Sequence, residues 1–93
     1  MDRYSVPENA VHRAMTVLKD GADPAAVLAA VDHGRAAITG LLPPGPVRIA
    51  LTHVLDEVID CAGTGVRGSP LLTRAAKHAR TALVMHRQAG MKK

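Results

Sequence analysis

The chain has 93 residues, a net charge of +4 and 47% hydrophobic residues. A chain this short fits one domain and buries only about 60 to 65% of the surface its unfolded form exposes, a thin margin that a partner or a second copy would widen. Tyr4 is the only aromatic residue, so the core falls to Leu, Val, Ile, Met and Ala, and base-stacking nucleic-acid modules are excluded.

Cys61 is the only cysteine. It permits no disulfide within the chain and no cysteine zinc cluster, which suits a reducing compartment, so the expected location is cytoplasmic. The first residues lead into Pro7 and Glu8 rather than into a basic stretch and a long apolar run, so no secretory leader is expected. No apolar stretch reaches the ~18 residues of a membrane span.

Ser5-Val6-Pro7-Glu8 has the spacing of a capping box and predicts a first helix over 6–19. Ala10, Val11, Ala14, Met15, Val17 and Leu18 recur in it at helical intervals. Asp20-Gly21-Ala22 ends it, and Asp23-Pro24 is a second start, an acceptor side chain before a proline that has no N–H to leave unsatisfied. Val27, Val31, Gly34, Ile38 and Leu41 then form one stripe of a helix over 24–41, with a break after His33 as the alternative. The run Leu42-Pro43-Pro44-Gly45-Pro46 is a rigid turn, since each proline disfavours helical backbone in the residue before it.

A third helix is predicted over 46–62. Val47, Ala50, Leu51, Val54, Leu55, Val58, Ile59 and Ala62 give it a wide apolar face, which makes it the central and least exposed element. Residues 63–68 read as a flexible connection, and Ser69-Pro70 starts a fourth helix over 70–88. Its inward side is expected to be Leu71, Leu72, Ala75, Ala76, Ala79, Ala82, Leu83 and Met85, with residues 89–93 a frayed basic tail. The expectation is therefore an all-α, compact four-helix domain spanning 1–93, with short Gly/Pro-rich turns.

Charge is distributed unevenly along this frame. Residues 1–20 balance at zero, residues 21–62 carry two basic and five acidic groups, and residues 63–93 carry seven basic and none acidic. Arg67, Arg74, Lys77, His78, Arg80 and Arg87 are the candidate residues for binding an acidic protein surface or a phosphate backbone. The competing structural reading is a solvated face that complements the helix C-terminal dipole and the acidic third helix.

Other motifs carry less. Leu18 to Val27 resembles a helix-turn-helix, but the second helix would present Asp23, Pro24, Ala25, Leu28, Ala29 and Asp32, with no side chain suited to base edges. Two packed helices joined by a tight turn explain the same residues. Arg80 and His86, separated by five residues, resemble the short active-site signature of the HEPN ribonuclease domains, which are also helical bundles. That resemblance spans seven residues and implies His86 as acid/base and Arg80 as phosphate clamp across a dimer seam. On an unbroken helix, however, the two side chains point about 120° apart.

His33-Gly34-Arg35 resembles the exposed histidine of a phosphotransfer bundle, but Ala36 and Ala37 stand where a Lys-Gly pair is needed. His53, Asp56 and Glu57 could supply part of a metal site, although one helix without a second contributor favours a surface ion pair. Gly63-Thr64-Gly65 lacks the lysine and the preceding strand of a phosphate loop. Cys61 lies in the apolar stripe of the third helix as a small core residue.

No catalytic constellation, cofactor site or metal site can be assembled from these residues. The chain is expected to be a non-enzymatic interaction module, homodimeric, that docks an acidic protein partner through its basic last helix. Duplex nucleic-acid binding through the same helix is the alternative.

Overall fold

Proline opens three of the four helices in the computed structural model, which describes residues 4–91. They are α1 (Ser5–Lys19), α2 (Pro24–Leu41), α3 (Pro46–Thr64) and α4 (Pro70–Met91), and no strand is present among the described residues. The all-α four-helix expectation holds, and α2 spans the predicted residues without a break at Gly34.

Two of the three expected caps form. Asp23 Oδ1 accepts from the Ala26 N–H at 2.9 Å, and Ser69 Oγ accepts from the Leu72 N–H at 3.1 Å. The capping box at Ser5 does not form. Tyr4 precedes the helix without a side-chain cap bond, its carbonyl accepting from the Glu8 N–H at 3.0 Å, so Ser5 is already helical. The Glu8 N–H, the donor that a Ser5 cap would use, is taken by the Tyr4 carbonyl, so the helix starts a residue early, and the Glu8 side chain turns to Arg87 instead.

Glycines in the left-handed region end α1 and α3 by the same device. At Gly21 (φ 81°) the Gly21 and Ala22 N–H groups bond to the carbonyls of Leu18 and Val17. At Gly65 (φ 76°) the Gly65 and Val66 N–H groups bond to the carbonyls of Ala62 and Cys61. This paired closure satisfies carbonyls that would otherwise lack donors. Because it falls at Gly65, α3 takes in Gly63 and Thr64, part of the expected flexible connection. The Thr64 hydroxyl donates back to the Asp60 carbonyl at 3.0 Å. Helix α4 runs to Met91, past the expected end at Gln88, since Gly90 only weakens a helix. Lys92 and Lys93, the rest of the expected tail, lie outside the described residues.

Helix α3 is central, with seven buried residues and contacts to all three other helices. The backbone of α2 lies close to those of α1 and α3, whereas that of α4 lies close to α3 alone, and no Cα of α1 comes within 8 Å of one in α4. Gly34 allows α2 its close approach, since a Cβ there would sit 3.2 Å from Leu55 Cδ1.

Two stripe assignments shift. Leu41 is 46% exposed and Leu42 is buried in its place. The proline after Leu42 holds it in extended backbone, and this turns its side chain inward. On α4, Leu72, Ala75, Ala79 and Leu83 are buried, but Leu71 and Met85 are 60% and 63% exposed. A helix with one neighbour buries a narrower stripe than its apolar content suggests. Cys61 is buried, its thiol 3.6 Å from Ser69 Oγ.

Candidate functional site

The six sequence-nominated residues fall into three places. Helical spacing of about 100° per residue puts Arg74, Lys77, Thr81 and Gln88 within roughly 60° of one another, opposite the buried stripe of α4. All four are exposed, with His78, Val84 and Met85 beside them. This outward face mixes cations with apolar side chains, and no ion pair is present at Arg74, Lys77 or Arg80 among the described residues.

Arg80 and Arg87 lie about 20° apart on the flank of α4 that turns to α1. Arg87 is engaged there. Its guanidinium donates to Glu8 Oε1 at 3.4 Å and stands 5.9 Å from the Tyr4 ring centroid, which in turn is 6.2 Å from the His86 ring. Long side chains at this one end thus bridge two helices whose backbones stay apart. Arg67 belongs to neither group. A Cβ on Gly21 would lie 2.7 Å from its guanidinium carbon, so Arg67 lies over the α1–α2 turn.

Between α1 and α4 runs a groove of about 230 Å³. Val11, Leu51, Val54, Ala79 and Leu83 make its apolar floor, while Glu8, Asn9 and His12 rise from α1 and Arg80 from α4. In the sequence this groove leaves only an indirect signal: the α4 stripe is alanine-rich, and alanine fills little of the space between neighbouring helices.

The remaining motifs do not converge. His86 lines a recess with Tyr4 and the Leu42–Val47 turn, whereas Arg80 lines the groove, so within one chain the two residues of the HEPN-like signature face separate spaces. Asp56 accepts from Arg35 at 2.6 Å while His53 stands 3.9 Å from Glu57, which divides the nominated metal trio between two separate contacts. Among the described residues no three His, Cys, Asp or Glu side chains gather as metal ligands would. No described helix is long and apolar enough to cross a membrane.

No family model, curated protein or solved structure matches this chain. The functional reading therefore rests on geometry and charge.

Proposed function

We propose that this protein is a non-enzymatic docking module that binds an acidic protein surface through α4. The observation that carries this reading is the outward face of a helix whose backbone lies close to one other helix, where Arg74 and Lys77 stand exposed, without ion pairs among the described residues, beside exposed Val84 and Met85. A long-range cationic field steers an acidic partner, and apolar side chains among the cations add contact area once it arrives.

Those apolar neighbours favour protein over a phosphate backbone. A duplex offers phosphates to Arg74, Lys77 and Arg80 but no apolar surface to Val84 and Met85, and its affinity would rest on counterion release alone. The like charge of α4 also argues against a twofold seam through it. The second copy proposed from the thin core joins elsewhere, with 70% exposed Ile49 on the outward side of α3 as the seam residue. Cytoplasmic residence belongs to the same reading and is supported by the free, buried Cys61.

Sedimentation velocity of the purified protein with a short mixed-sequence DNA duplex, at low salt and at about 0.15 M salt, tests the choice between partners. The docking reading expects weak association at low salt, as for any cationic surface, and none at the higher salt. A complex that persists there makes the nucleic-acid alternative the better account.

A further inference from the structure

We infer that the groove between α1 and α4 receives an acidic amphipathic helix of the partner, an assignment that rests on the protein-docking reading above and names the form of what is docked. The groove exists because α1 and α4 both pack on α3 while their backbones stay apart: no Cα of one comes within 8 Å of a Cα of the other. Ala76 and Ala79 keep the α4 wall low. The lining runs from Glu8 to Met15 on α1 and from Ala76 to Leu83 on α4. At about 1.5 Å per residue that is roughly 10 Å, or two helical turns. A helix laid there places side chains at i, i+4 and i+7 over the floor, the usual spacing of anchors in a helix-in-groove contact.

Size and charge narrow the occupant. At about 230 Å³ and open along its length, the groove is smaller than the roughly 300–1,000 Å³ cavities that enclose small ligands. Among the described residues Glu8 is the only carboxylate of its lining, and it is already bonded to Arg87. Arg80 stands exposed on the α4 lip, without an ion pair among the described residues, with Lys77 one turn away. The occupant therefore carries carboxylates on the flank that meets α4. A second copy of this chain does not fit. Among the described residues the exposed large apolar ones are Val6, Leu28, Leu41, Ile49, Val66, Leu71, Val84 and Met85, and no helix holds three of these at anchor spacing.

The test selects, against the full chain, a displayed library of helices about four turns long. Leucine is fixed at three anchor positions, and the flanking positions vary among Glu, Gln and Lys. Selected peptides are expected to be Glu-rich on one flank and to lose at least about tenfold in affinity with Arg80→Glu and again with Ala76→Phe, which fills the groove. Circular dichroism verifies that both variants fold, and the exposed Arg80 site keeps the test decisive if Ala76→Phe unfolds. Lys-rich selection, no selection above the starting library, or binding indifferent to both changes overturns the assignment. Loss on Arg74→Glu/Lys77→Glu with no effect of Ala76→Phe overturns the groove while leaving docking through α4 in place. Indifference to all of these substitutions removes both readings.

Discussion

Single residues decide where the helices begin and how closely they pack. Asp23 and Ser5 look alike in the sequence, yet only Asp23 accepts a backbone hydrogen bond as a cap. Asp23→Ala is expected to lower unfolding free energy by about 1 kcal/mol, and Ser5→Ala by less than about 0.5 kcal/mol, in urea titrations. Equal losses would contradict the start of α1 at Ser5. Gly34 gives a sharper case. A Cβ there would press on Leu55, which is fully buried. Gly34→Val, with two further carbons, should cost about 2–3 kcal/mol in the same titration, with the slope against urea unchanged. The sequence marked Gly34 as a close approach or a kink. Only the position of Leu55 across the α2–α3 contact selects the first, because that contact joins residues far apart in the chain.

At the scale of elements, the three proline starts and the ends of α1 and α2 were legible, and the ends of α3 and α4 were not. Proline and cap residues act within one turn, so Asp23-Pro24 and Ser69-Pro70 could be read directly. Ends depend on which of several glycines takes the left-handed conformation. Between Gly63 and Gly65 that choice is set by where the chain must leave α3 to reach α4, which composition does not encode. The inward side of α4 was misread at Leu71 and Met85 for a related reason, since a stripe indicates what can be buried but not how many neighbours bury it. Helix α4 is also tied to α1 at one end, through Arg87, Glu8 and Tyr4. Arg87→Ala should speed amide hydrogen exchange in the last turns of α4 while lowering global stability by no more than about 1 kcal/mol, because the ion pair is partly exposed. Unchanged exchange there would mean that the α3 contacts alone hold the helix end.

For the whole molecule, the sequence disclosed the charge asymmetry but not its arrangement. Seven basic and no acidic residues after position 62 are plain in the sequence. That Arg67 lies over the α1–α2 turn, that Arg87 bonds to Glu8, and that Arg74, Lys77 and Arg80 have no ion pair among the described residues follows only from the fold. The groove was equally illegible, since it is the space left where two helices share a neighbour and do not meet. These features converge on α4, which has one helical neighbour and an exposed face of cations and apolar side chains.

The most direct measurement of that claim replaces the exposed Thr81, at the middle of the outward face, with a photo-crosslinking residue and irradiates the cells that make the protein. The account predicts a discrete adduct with an acidic protein, lost when Arg74→Glu and Lys77→Glu are added. An adduct with nucleic acid, or a protein adduct that survives both charge reversals, would contradict it.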